Sequence, residues 1–158
     1  GGLRIGLILP PRAFQNSVIS ALYLDCLFAP PLMAEVACRS IETGKLNHLI
    51  DDKRKEMQIR QSLAGRILSG VKIRSQPECP HCWIDLPDPW QADEFVLQLQ
   101  QSGVLVKGEN AFAVQAPRQN KGLRICLSGP RERLQVEKGL NIIRETIARH
   151  PVVSQSIM

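Results

Sequence analysis

No run of apolar residues in this 158-residue chain approaches the roughly 20 needed to cross a bilayer. No segment is low in complexity, and 44% hydrophobic against 22% charged residues is ordinary for a globular protein. These absences leave one domain with a modest core, or a small domain carrying elements of a larger one. A signal-peptide pattern is also lacking. Gly1-Gly2-Leu3-Arg4-Ile5-Gly6 reads instead as a strand entered midway, so a boundary inside a longer protein is expected there. The two leading glycines admit a tag remnant. Cysteine is sparse and odd in number, five with no export pattern, which points to reduced thiols in a cytoplasmic protein.

Charge of one sign is in modest excess. Lys and Arg number 20 against 15 for Asp and Glu, a formal charge of +5. The basic residues are scattered (Arg12, Arg39, Arg66, Arg118, Arg149), and the densest run, Lys53-Arg54-Lys55, follows Asp51-Asp52. Such a pattern reads as a charged helix face in water rather than a nucleic-acid surface.

What is present is hydrophobic periodicity. Leu3, Ile5, Leu7 and Leu9 alternate, which predicts a strand over 3–9 ended by Pro10-Pro11. A helical period follows through Phe14, Val18, Ala21, Leu22 and Leu24. Pro30-Pro31 break it, with Pro31 suited to the first turn of a second helix. Residues 32–68 then read as two helices, or one broken near Thr43-Gly44-Lys45, before Gly70 stops them. Met57, Ile59, Leu63, Ile67 and Leu68 are the expected buried side. Beyond Gly70, strands are predicted over 71–74, 82–86, 104–107, 111–114 and 123–127. Helices are predicted over 91–101 and from Pro130 to about His150. The result is an α+β arrangement, a small sheet covered by helices.

Cys79-Pro80-His81-Cys82 is the loudest chemical signal. A redox Cys-x-x-Cys needs its first thiol at a helix N-terminus, which lowers the thiol pKa. Here Trp83-Ile84-Asp85-Leu86-Pro87 reads as a strand ending in a turn. A zinc site would need a fourth ligand, and Cys79, His81 and Cys82 are too crowded on an extended strand to supply three. Plain strand cysteines are the favoured reading. Cys26, Cys38 and Cys126 read as small apolar residues.

Two arginines stand on predicted strands, Arg4 and Arg124. By spacing alone each is better read as an edge residue reaching solvent or pairing with a carboxylate. A buried one would need a partner, since an unpaired buried charge costs several kcal/mol. Lys121 and Arg118 nearby read as surface charges.

Five segments, in order, resemble the second half of a fold-type I pyridoxal-phosphate aminotransferase. Gly2-Leu3-Arg4-Ile5-Gly6 is similar to the strand that follows the family's Schiff-base lysine. Ser40-Ile41-Glu42-Thr43-Gly44 through His48-Leu49-Ile50, then Lys53-Arg54 and Arg60, is similar to its interdomain helix region. Trp83-Ile84-Asp85-Leu86-Pro87 resembles its Trp-x-x-Leu-Pro strand end. Gly103-Val104-Leu105-Val106, with Gly108 and Phe112, resembles its Gly-Val-x-Val and Gly-x-x-Phe segment. Leu123-Arg124-Ile125-Cys126-Leu127 resembles the strand that bears the carboxylate-binding arginine. Pro31-Leu32-Met33-Ala34-Glu35 and Leu86-Pro87-Asp88-Pro89-Trp90 lean toward the MocR subgroup, in which a GntR-type winged helix-turn-helix precedes such a domain. An ordinary aminotransferase is the runner-up.

The resemblance implies the small C-terminal domain of the aminotransferase fold, preceded by a long interdomain helix. Residues 1–29 would be a strand and helix of the large cofactor-binding domain, and 30–158 the interdomain helix region and small domain. It implies that Arg4 contacts the cofactor phosphate, with Gly6 allowing close approach, and that Arg124 grips an α-carboxylate by a bidentate pair. The family's lysine, the aspartate facing the pyridine nitrogen and the aromatic stacking partner would all precede Gly1. None of Lys45, Lys53, Lys55, Lys72, Lys107, Lys121 and Lys138 matches that lysine. No catalytic residue and no metal ligand is therefore expected. Pyridoxal phosphate is expected in the longer parent and not on this chain alone. The implied partners are an amino-acid substrate or effector, DNA through an upstream part, and a second copy of the chain, with no membrane.

Overall fold

The computed structural model describes residues 3–114 and 121–149. The chain divides into two compact units, Gly1–Asp52 and Lys53–Met158.

The first unit is helical. A 3-10 turn at Arg12–Phe14 leads into α1 (Gln15–Cys26), and α2 (Pro31–Glu42) follows with proline at its start. There the missing N–H of proline costs nothing and its fixed φ suits the helix. The expected break falls at Thr43-Gly44, with Gly44 at φ +72°, and α3 (Lys45–Ile67) begins directly after it. Residues 3–9 differ from expectation. They form no strand, and Arg4 stands at φ +54°, outside extended backbone. The alternation of Leu3, Ile5, Leu7 and Leu9 is real, but a strand exists only as part of a ladder. Among the described residues no segment pairs with this one. Neither α1 nor α2 contains a buried residue.

The second unit holds the core. Four strands, β1 (Lys72–Arg74), β2 (His81–Asp85), β3 (Lys107–Gly108) and β4 (Gly122–Cys126), form an antiparallel sheet in the order β1-β2-β4-β3. Helices α4 (Ala92–Gln101) and α5 (Arg133–Ala148) complete it. The register aligns Ile73, Ile84, Leu123 and Gly108 in one row, and Arg74, Trp83, Arg124 and Lys107 in the next. Because side chains alternate faces, the first row enters the core and the second lies on the opposite face. Cys82, Ile84, Leu123 and Ile125 pack with Ala64 and Ile67 of α3, Phe95 and Leu99 of α4, and Val136, Leu140 and Ile143 of α5.

The helix ends follow local chemistry. Asp93 and Glu94 stand in the first turn of α4, where a helix dipole favours negative charge. Gly103, at φ +78°, ends the turn beyond it. Glu132 and Gln135 make a capping box at the start of α5. The predicted end of this helix at His150 lies outside the described residues, as do Gly2 of the N-terminal motif and Arg118. Buried Trp90 donates from Nε1 to the Ile147 carbonyl at 3.3 Å and meets Phe95 edge-on at 5.0 Å.

Two further expectations are corrected. Residues 111–114 are no strand; a 3-10 turn occupies Glu109–Ala111. The Glu109 side chain, rather than a backbone ladder, meets the N–H groups of Lys121 and Gly122 at the entrance of the neighbouring strand. On α3, Ile59 is 44% exposed whereas Arg60 is buried. No helix among the described residues is long and apolar enough to cross a membrane.

Candidate functional site

Arg124 rises from the centre of β4 onto the sheet face away from the core. Its strand neighbours in register are Trp83 on β2 and Lys107 on β3. Phe112 lies over the guanidinium, with the carbon centre 4.4 Å from the ring centroid. Trp83 meets the same ring edge-on at 5.9 Å, and the Arg74 guanidinium stands 5.9 Å from the Trp83 centroid. Arg74 and Arg124 therefore each lie over an aromatic ring, Trp83 and Phe112 respectively, whose negative face attracts a cation. Arg74 is held by Asp85 at 2.5 Å.

The Trp83 ring can lie flat on β4 because residue 122 is glycine. A Cβ there would collide with the indole carbons Cζ2 and Cε2 and meet Glu109 Oε2 at 3.0 Å. Within this cluster two donors are buried without acceptors among the described residues, Arg124 Nε and Trp83 Nε1. A buried N–H left unpaired costs about 1–3 kcal/mol, so orphaned donors beside an outward-facing cation suit an acceptor that comes from outside.

Arg4 is exposed and belongs to the first unit. It borders a groove of about 830 Å³ formed by residues 3–7 with the end of α2 and the start of α3. Ser40 and Lys45 are the other polar residues of that groove, beside Ala37, Ile41, Leu46 and Leu49. Two cations and a hydroxyl are chemically suited to a phosphate, the cations as donors of charge-assisted hydrogen bonds. The predicted strand face shared by Arg4 and Gly6 is absent, because residues 3–9 are not a strand.

No family model matches the chain. The uncharacterized HTH-type transcriptional regulator YdeF of Bacillus subtilis (strain 168) is 26% identical over 146 residues, covering 92% of this chain and 32% of the regulator. Among solved structures, an archaeal alanine:glyoxylate aminotransferase superposes with a TM-score of 0.76 at 15% identity, over 93% of this chain and 37% of its own. This is an aminotransferase fold. The kynurenine aminotransferase of Pyrococcus horikoshii gives a TM-score of 0.73 at 22% identity, over 87% of this chain and 35% of its own. LysN, the alpha-aminoadipate aminotransferase of Thermus thermophilus, gives 0.71 at 16%, over 93% and 38%. The chain spans about a third of the length of each. The α+β small domain expected from the sequence is thus the small domain of this fold.

Cys79 and Cys82 differ in setting. Cys82 is buried on the core face of β2, and burial pushes its thiol up to about 11, with the Cys79 thiol adding to the rise. That is the reverse of thiolate activation. The segment is tied down by its backbone. Gln61 Nε2 donates to the carbonyls of Cys79 and His81 at 2.6 and 3.0 Å, and the Leu127 N–H donates to the Pro80 carbonyl at 2.8 Å.

Sequence reasoning placed Arg60 in the interdomain-helix resemblance without giving it a contact, and passed over Glu56. Arg60 donates to the carbonyls of Leu127, Pro130 and Arg131 at 2.7, 2.7 and 3.0 Å, and to Glu56 at 2.7 Å. Glu56 also accepts from Arg133 at 2.5 Å. Hydrogen bonds from Arg133 and then Arg60 hold its carboxyl down to about 2. The loop between β4 and α5 is thereby fixed to α3, which sets the end of the Arg124 strand. The helical period itself carried the signal: position 60 falls on one face with Met57, Ala64 and Ile67.

Proposed function

We propose that this chain recognises an amino acid through Arg124, as part of an aminotransferase-like effector domain in a pyridoxal-phosphate-dependent transcriptional regulator of MocR type. The single observation that carries the reading is the Arg124 seat, an outward-facing guanidinium with a buried Nε unpartnered among the described residues. A carboxylate is the planar acceptor that a guanidinium fork matches. The regulator relative supports the larger context, and the fold supports the class of ligand.

In the longer protein the winged helix-turn-helix would bind DNA from an upstream part. Residues 1–29 would complete a cofactor-binding domain, where 3–9 gain the ladder partners they lack here. Pyridoxal phosphate, when bound, would supply an electrophilic aldehyde for an amino group and an electron-withdrawing pyridine ring. Arg4 would hold its phosphate, with Ser40 and Lys45 beside it, and Arg124 would orient the amino acid by its carboxylate. The chain alone carries out no catalysis in this reading. The protein is cytoplasmic, with the thiols reduced.

An absorbance titration of the full-length protein tests the two assignments. Arg4→Ala is expected to weaken cofactor retention, because a charge-assisted fork to phosphate is lost. Arg124→Ala is expected to keep the cofactor band but weaken amino-acid binding by roughly 2–5 kcal/mol where the pair is desolvated. Loss of the band in Arg124→Ala with retention in Arg4→Ala would reverse the roles. No effect from either substitution would remove both.

A further inference from the structure

Phe112 is 43% exposed, yet it has a fixed place over Arg124. It belongs to no strand and follows the 3-10 turn at Glu109–Ala111. The turn is fastened on two sides. Glu109 Oε2 accepts from the backbone N–H groups of Gly122 and Lys121 at 3.0 and 3.2 Å, at the entrance of the strand that carries Arg124. Asn110 Nδ2 donates to Asp93 of α4 at 2.7 Å. Trp83, lying on Gly122, supports the Phe112 ring from the side.

An arginine side chain has about 2 kcal/mol of rotamer entropy to lose when it is fixed by a ligand. A ring that already occupies one guanidinium face removes part of that loss before binding. It also keeps water from that face, where a charge-assisted pair is stronger.

We propose that Phe112, fastened by the Glu109 carboxylate, is a positioning residue that stacks on Arg124 and presents its N–H edge to an amino-acid carboxylate. The inference rests on the reading of Arg124 as the carboxylate anchor. Phe112 sets the affinity for the carboxylate and leaves the cofactor's hold on the protein unaffected.

The test follows the Arg124 Nε–H and Trp83 Nε1–H resonances of the nitrogen-15-labelled protein. L-Leucine and acetate serve as carboxylate probes, and isoamylamine as the control without a carboxylate. The Phe112 ring is expected to displace the Arg124 resonance from that of a free side chain. Phe112→Leu abolishes the displacement and Glu109→Ala reduces it, whereas Glu109→Gln, whose amide oxygen still accepts, retains most of it. Carboxylate affinity falls about two- to fivefold in Phe112→Leu and Glu109→Ala, the scale of one cation–π contact. The buried Trp90 indole, bonded to Ile147, keeps its resonance throughout and reports an intact core. Wild-type affinity in both Phe112→Leu and Glu109→Ala overturns the positioning role alone. An Arg124 resonance that answers neither carboxylate overturns the anchor and the positioning role together.

Discussion

Gly122 shows how a missing side chain can build a site. Its open position receives the Trp83 indole, which supports Phe112, which in turn covers Arg124. Gly122→Ala puts a methyl group into the indole ring, so either the ring or the strand must shift. We expect a loss of about 1–3 kcal/mol, the usual cost of overpacking, read as a lower denaturant midpoint. Fluorescence should change at Trp83 while Trp90 is spared. An alanine variant with wild-type stability and emission would mean that the indole moves aside without cost. The contacts in this chain of residues were not legible in the sequence. Arg124 and Trp83 could be placed on strands from their neighbours' alternation. That Phe112 lies across from Arg124 depends on the turn at Glu109, which no local pattern records.

At the scale of elements, the sequence was most legible where the pattern is local and repeated. Helices α1, α2, α4 and α5 follow from period and punctuation, with Pro31, Gly44 and Gly103 marking the ends. It was least legible where an element depends on a distant partner, as in residues 3–9 and 111–114. On α3, hydrophobicity favoured Ile59 over Arg60, but position 60 shares the face of Met57, Ala64 and Ile67 and is satisfied by three carbonyls from beyond β4. The same clamp makes a pH prediction. Glu56 titrates near 2 in the folded protein because Arg133 and Arg60 bond its charged form. A depressed carboxyl adds stability that is full above its ordinary pKa and fades as pH falls toward 2. Its side chain is 24% exposed, so solvent screening reduces the effect. Glu56→Gln should cost about 1–3 kcal/mol at neutral pH and flatten the stability profile between about pH 5 and 2. Denaturant melts across that window check it, and an equal cost at pH 7 and pH 2 would detach the clamp from titration.

Taken as a whole molecule, the chain distributes its apolar surface unevenly. The buried core lies within residues 57–143, while the first unit exposes Leu7, Leu9, Leu24 and Phe28 at 75, 99, 86 and 71%. Helices α1 and α2 have twelve residues each and no buried position, and helices of that length are marginal in water without tertiary packing. Apolar side chains exposed to this extent are normally covered by a partner, and a second copy is always at hand in solution. The chain is therefore expected to associate into dimers or larger oligomers that bury part of residues 3–27. Sedimentation equilibrium at tens of micromolar, where interfaces worth about 6 kcal/mol become populated, is the direct measurement. Leu24→Asp should shift the distribution toward monomer by placing a charge in that contact, and far-ultraviolet circular dichroism should lose part of the helical signal as α1 frays. A monomer at every concentration, with α1 and α2 fully helical, would show that these helices stand without a partner and would defeat the prediction.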